Sequence, residues 1–213
     1  MLPRMTYLYS NGKKDEATKY LDVTMEYILA FANAAMMGLI AIADEFVIIY
    51  YGEEFAQSGI ITKYLCVTMV FLAAGNVLRT QYLIPKKRDT VYSISAILGA
   101  VVNFIINMVL IPSMGAIGAA LGTIAAEFIV FAYQAFCVRK EMKWSKYILM
   151  ELEYLILAGV MWFVITRITV SNILLTLVIQ MVLGVVIYGA GFISIFYMRY
   201  KTNPVKQLLR LKN

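Results

Sequence analysis

The chain has 213 residues, 62% of them hydrophobic and only 15% charged, with a mean hydropathy of +0.76 and a net charge of +6. A water-soluble domain of this length carries about a quarter of its residues charged, so a soluble globular class is excluded. The complete absence of histidine removes the commonest metal ligand and the commonest acid–base group at neutral pH. What remains is an all-α, polytopic membrane protein, because apolar runs of roughly 20 residues, the length of a bilayer-crossing helix, recur along the chain.

Residues 1–26 carry Arg4, Lys13, Lys14, Asp15, Glu16, Lys19, Asp22 and Glu26. They lack the roughly 7–15-residue apolar core and cleavage site of a signal peptide. This segment is expected to be cytoplasmic: the end of a preceding span, closed by Pro3, followed by a linker helix. Residues 27–198 are expected to form a six-helix lobe with spans at about 27–50, 62–84, 90–111, 116–138, 148–168 and 172–198, and residues 199–213 a basic cytoplasmic tail. Pro85 and Pro112 are expected to close spans and Pro204 to follow the last, with no proline inside any span. Cys66 and Cys137 fall near opposite ends of different spans, which predicts two unpaired, small hydrophobic side chains.

The basic residues alternate by loop. Lys63 and Arg167 fall on one side, and the other 17 of the 19 fall on the opposite side, in the N-terminal segment, around 79–88, around 139–146 and in the tail. The positive-inside rule then places both termini in the cytoplasm of a multi-pass cell-membrane protein. The net charge reads as this orientation signal plus attraction to anionic lipid. Nucleic acid is not an expected partner, since no soluble basic face exists to hold it.

Spans three and four read as a hairpin. Pro112 is expected to end its first helix and Gly115 to supply the joint, while Gly118, Gly122 and Ala126 form a small-residue face for close helix packing. Into this apolar pair the sequence sets Asn103, Asn107 and Glu127. Glu127, near the middle of its span, either faces a water-filled cavity that binds a cation, a proton or a polar substrate, or is a carboxyl tied to a neighbouring helix. Asn103 and Asn107, four residues apart, share one helix face with Ala96, Gly99 and Ala100, and either line a polar path or hydrogen-bond between helices. Arg79, with Asn76 one turn deeper, either binds phosphate through its planar fork of donors or reaches to the membrane interface. Asp44 with Glu45, and Glu151 with Glu153, read as interfacial, and Gln180 carries little information.

No enzyme signature is present. Gly12-Lys13 lacks the upstream glycine of a phosphate loop, and there is no Ser/His/Asp set or Cys/His cluster, so neither a cofactor nor a metal is expected. A membrane polysaccharide polymerase or ligase needs a sizeable extracytoplasmic loop with charged catalytic residues, and here those loops are short.

The run Leu78-Arg-Thr-Gln-Tyr-Leu-Ile-Pro85-Lys-Lys-Arg is followed by Asn103, Asn107, Leu110-Ile-Pro112, Gly115-Ala-Ile-Gly118-Ala-Ala, Thr123 and Glu127. Together with Leu2-Pro3-Arg4-Met5 and Ala43-Asp-Glu-Phe-Val through Gly52-Glu-Glu-Phe55, it resembles the Wzx-type oligosaccharide flippases. Those belong to the multidrug/oligosaccharidyl-lipid/polysaccharide exporter superfamily. The likeness spans roughly residues 1–140, and residues 141–213 match only as two further hydrophobic spans. Where that family carries a proline before the glycine matching Gly38, this sequence has Asn33-Ala34, so the residue that would break the helix there is missing.

The resemblance implies a two-lobed transporter of 12 to 14 helices that moves undecaprenyl-diphosphate-linked sugar repeat units to the outer leaflet for capsule or exopolysaccharide. This chain would be its C-terminal lobe, with Met1 near the end of span eight, and would need an N-terminal lobe in the same or a separate chain. The implied site is Arg79 on phosphate, with Asn76, Asn103, Asn107 and Glu127 along the polar path. Other readings are a lobe of a cation-coupled multidrug exporter or of a lipid II flippase, and a non-transporting accessory membrane protein.

Overall fold

A computed structural model describes residues 2–204 and residue 207. Met1 and, in the expected basic tail, Lys206, Arg210 and Lys212 lie outside the described residues. The helices, in chain order, are α1 (Leu2–Ser10), α2 (Lys14–Tyr51), α3 (Gln57–Cys66), α4 (Thr68–Leu78), α5 (Asp89–Met114), α6 (Ala116–Cys137), α7 (Trp144–Ile165) and α8 (Ile173–Tyr200). A one-turn-wide π-helix, Arg79–Leu83, follows α4 directly. Among the described residues six stretches are long and apolar enough to cross a membrane: α2, Gln57–Leu83, α5, α6, α7 and α8.

Two expectations about helix ends are corrected. The helix that carries the first span begins at Lys14, so the expected linker helix and the span are one unbroken 38-residue helix. Asp15 and Glu16 in its first turn suit the positive end of the helix dipole. Pro112 does not close its helix but lies inside α5, which runs on to Met114. A proline near a helix end costs one hydrogen bond, and Ser113 Oγ donates locally to the Leu110 carbonyl (3.3 Å). The stop is Gly115, whose φ of +56° and ψ of −129° suit a residue without Cβ, and whose N–H donates to Ile111 O at 2.8 Å. The second span is likewise not one regular helix: it breaks at Val67 and widens at Arg79, where the N–H of Ile84 reaches back five residues to the Arg79 carbonyl (3.0 Å).

Helix α2 is the hub, packed against α3, α4, α7 and α8, while α5 and α6 form a tight hairpin that leans on α4. The α2–α7–α8 core buries Met25, Leu29, Tyr154, Ala158, Met161 and Phe196. Glu26, fully buried, accepts from Tyr154 Oη (2.7 Å) and from Arg199 Nη1, and the same arginine donates through Nη2 to Glu153. One turn toward the start of α7, Asp22 accepts from Lys146 Nζ and Tyr147 Oη, both at 2.6 Å. Deeper in, Asn33 Nδ2 donates to Glu151 (3.0 Å). Glu151 and Glu153 are thus turned inward and bonded, because α2 and α8 bring Asn33 and Arg199 to meet them. Gln180, too, is buried, and donates to the Ile168 carbonyl at 3.1 Å.

At the basic end of the bundle the α6–α7 loop is tied to the segment before α5. Glu141 accepts from Tyr82 Oη (2.7 Å), Lys86 Nζ (3.1 Å) and Arg88 Nη1 (2.5 Å). Partial burial pushes its carboxyl up, but these three donors outweigh that and hold it at about 2, below its ordinary 4.5. A carboxyl whose folded value is depressed contributes stability that is complete above 4.5 and is lost as pH falls through about 2. The melting temperature of Glu141→Gln should therefore lie below wild type at pH 7, with the gap narrowing below pH 4.5; a gap unchanged at pH 3 contradicts it. Arg199→Met leaves two carboxylates facing each other without their cation, and should cost about 3–5 kcal/mol of stability, read by unfolding in mixed micelles.

Candidate functional site

A cavity of about 410 Å³ opens between α4, the π-helix, α5 and α6, within the size range of roughly 300–1,000 Å³ usual for small-molecule sites. Arg79, Asn76, Asn103 and Glu127 all line it, with Gly99, Ala100, Thr123 and Ala126 giving the small-residue floor between them. Four of the five residues singled out from sequence therefore meet in one place. Asn107 does not. Its Nδ2 donates to Asn103 Oδ1 (2.9 Å), and its amide lies over Gly122, where an added Cβ would sit 2.2 Å from Asn107 Oδ1.

The small-residue face of α6 explains how these groups converge. A Cβ on Gly118 would lie 2.6 Å from the backbone C and O of Leu110, so the two helices touch main chain to main chain. Further along, a Cβ on Gly99 would fall 2.4 Å from Val130 and 3.4 Å from the Ala126 carbonyl. With contact at both ends the hairpin cannot splay, and Asn103 on α5 and Glu127 on α6 share one wall.

Arg79 is delivered by the π-helix. The extra residue in that turn changes the angular register, and such bulges recur at functional sites. Its Nη1 donates to Tyr92 Oη (3.1 Å), and its guanidinium carbon stands 5.0 Å from the centre of the Tyr92 ring. Arg79 Nε is buried and has no partner among the described residues. Glu127 makes no hydrogen bond or ion pair among the described residues. Arg79 near the basic end and Glu127 in mid-span give the cavity polarity along its length.

Two polar lining residues escaped the sequence reading: Tyr92 and Gln134. Gln134 is 2% exposed on α6, and its Nε2 donates to Ser95 Oγ on α5 (3.0 Å). Glutamine in an apolar run is a visible signal, but only the hairpin geometry shows that it faces α5 and the cavity. A second cavity, of about 460 Å³ between α2, α4, α6 and α7, is lined almost wholly by apolar side chains, with Glu151, Trp144 and Tyr147 among them. No cluster of metal-ligating side chains occurs among the described residues.

No model of a known protein family matches the chain. Over 221 aligned residues, 99% of this chain is 24% identical to the probable low-salt glycan biosynthesis flippase Agl15 of Haloferax volcanii, of which it covers 45%. Among solved structures, the lipid II flippase MurJ in its inward closed conformation matches 94% of this chain at 21% identity with a TM-score of 0.76, over 43% of that protein. The chain spans less than half the length of each. It has the fold of about half of a flippase.

The close approach in the hairpin has a direct test. Gly118→Ala should destabilise the protein by about 1–3 kcal/mol through overpacking against Leu110. Gly159→Ala, where nothing lies within 4 Å of the added methyl, should be neutral or slightly stabilising in the same melting measurement.

Proposed function

We propose that this chain is the C-terminal lobe of a flippase in the multidrug/oligosaccharidyl-lipid/polysaccharide exporter superfamily. It carries undecaprenyl-diphosphate-linked oligosaccharide repeat units across the cell membrane for capsule or exopolysaccharide, together with an N-terminal lobe in the same or a separate chain. Both termini lie in the cytoplasm, and the basic end contacts the headgroups of anionic lipids. The observation that carries the reading is the convergence of Arg79, Asn76, Asn103 and Glu127 on one cavity, in a chain similar in sequence to a glycan biosynthesis flippase. Arg79 binds the diphosphate; Asn76, Asn103 and Glu127 offer donors and acceptors to sugar; the polyprenyl tail stays in lipid. Asn107 serves this path indirectly, by holding Asn103.

A lobe of a lipid II flippase is the second reading, favoured by the match in fold to MurJ. Its cargo also joins a polyprenyl diphosphate to sugar, so the same residues would act. Complementation separates the two: rescue of surface polysaccharide in a strain lacking its oligosaccharide flippase supports the first, and rescue of growth after depletion of the lipid II flippase supports the second.

In cells whose oligosaccharide flippase contains this lobe, Arg79→Ala and Glu127→Ala should each abolish surface polysaccharide while leaving the amount of protein in the membrane unchanged. Wild-type polysaccharide in both variants would remove those residues from the path.

A further inference from the structure

Gln134 and Arg79 are arranged around the same turn of α5, and each keeps one buried polar atom without a partner among the described residues. The chain of donors fixes which atoms these are. Ser95 Oγ donates its proton to the Tyr92 carbonyl (2.7 Å), so it can only accept from Gln134. The Gln134 amide must then present Nε2 to Ser95, at 3.0 Å, and Oε1 is the end left over. Asn33, Asn107 and Gln180 also keep an unmet amide oxygen, at a cost in free energy, but of these four amides Gln134 is the one that lines the cavity beside Arg79. On the other side of the turn Tyr92 Oη occupies Arg79 Nη1, leaving Nε buried and unmet. A forked guanidinium edge takes phosphate oxygens, while a lone carbonyl oxygen takes a hydroxyl or an N–H.

The residues that carry the two unmet atoms, a cationic donor and a neutral acceptor, both line one cavity, and each is bonded to the Tyr92–Ser95 turn of α5. Glu127 lies seven residues before Gln134 on α6, about 10 Å deeper. The group that meets Arg79 and the group that meets Gln134 must be close together in the ligand, and Glu127 must meet something further from the phosphate.

We propose that Gln134 Oε1 accepts a hydrogen bond from a hydroxyl of the first sugar, the one joined to the diphosphate that Arg79 holds. This rests on the diphosphate-linked cargo proposed above. It makes Gln134 a reader of whether the diphosphate carries a sugar, so that the charged polyprenyl carrier alone is held less well than the loaded one. The shared chemistry, a phosphate beside a hydroxyl, also occurs in the headgroup of phosphatidylglycerol, and the experiment separates the two.

The protein, purified with any lobe that accompanies it, is placed in phosphatidylcholine nanodiscs. Binding of farnesyl diphosphate is measured against farnesyl diphosphate bearing glucose or N-acetylglucosamine. Wild type should bind a sugar-bearing probe about tenfold more tightly, the effect of one buried hydrogen bond. Gln134→Met should bring that ratio near one with farnesyl diphosphate affinity unchanged and the melting temperature lowered only slightly by loss of the Ser95 bond. Arg79→Met should weaken all probes alike. Equal affinities in wild type, a preference that survives in Gln134→Met, or an equal loss for every probe in Gln134→Met together with a lower melting temperature would each overturn the role of Gln134. If only Arg79→Met fails to act, the phosphate assignment falls and the sugar contact stands. Loss of the sugar preference in phosphatidylglycerol nanodiscs would give the site to membrane lipid and overturn the proposal.

Discussion

The contact of α6 with the main chain of α5 at Gly118 sets the geometry of everything on that side of the molecule. No side chain separates the two helices there, so their axes are as near as backbone permits, and Gly99 repeats the close approach against Ala126 and Val130. In hydrocarbon there is no hydrophobic gain from pressing one apolar helix on another, and close packing with interhelical hydrogen bonds must supply the attraction. The pair Ser95–Gln134 and the amide of Asn107 over Gly122 are the polar part of that attraction. The cavity is its by-product: where α4 gives way to the π-helix, the third wall stands off from the hairpin, and Arg79 is turned into the gap.

The same solvent constraint divides the polar residues of the bundle into two kinds. Around α2, the ionised groups meet each other: Glu26 with Arg199 and Tyr154, Glu153 with Arg199, Asp22 with Lys146 and Tyr147. Such clusters fix how α2, α7 and α8 sit together, since parting any partner would strand a charge in a medium that cannot solvate it. Around the α5–α6 hairpin the charged groups of the cavity, Arg79 and Glu127, do not pair with each other. Arg79 Nε and Gln134 Oε1 are buried without partners among the described residues, and Glu127 has no side-chain bond there. The first kind holds α2, α7 and α8 together, and the second lines the cavity.

The sequence by itself determined the class and the six long apolar stretches of the described residues. Composition, the recurrence of apolar runs and the grouping of Lys and Arg depend on local chemistry against water or lipid, so they are legible without knowing which helix meets which. The small residues Gly118 and Gly122, and the polar residues Arg79, Asn76, Asn103 and Glu127, stand out for the same reason: each is costly or unusual in an apolar helix.

Only the tertiary structure decided which of those residues meet. Asn103 and Asn107 are alike in the sequence, yet one lines the cavity and the other covers Gly122, because the crossing of α5 and α6 separates two positions on one helix face. Glu151 and Glu153 look interfacial by their place near a helix start, and become bonded because Asn33 and Arg199, 118 and 46 residues away, arrive beside them. The stop after α5 follows from Gly115 and not Pro112, since helix ends answer to the backbone that the next helix requires. Tyr92 and Gln134 acquire meaning only when Arg79 and Ser95 are in place. Cost in the membrane is a property of one residue, whereas satisfaction is a property of a pair, and pairs between helices are made by packing.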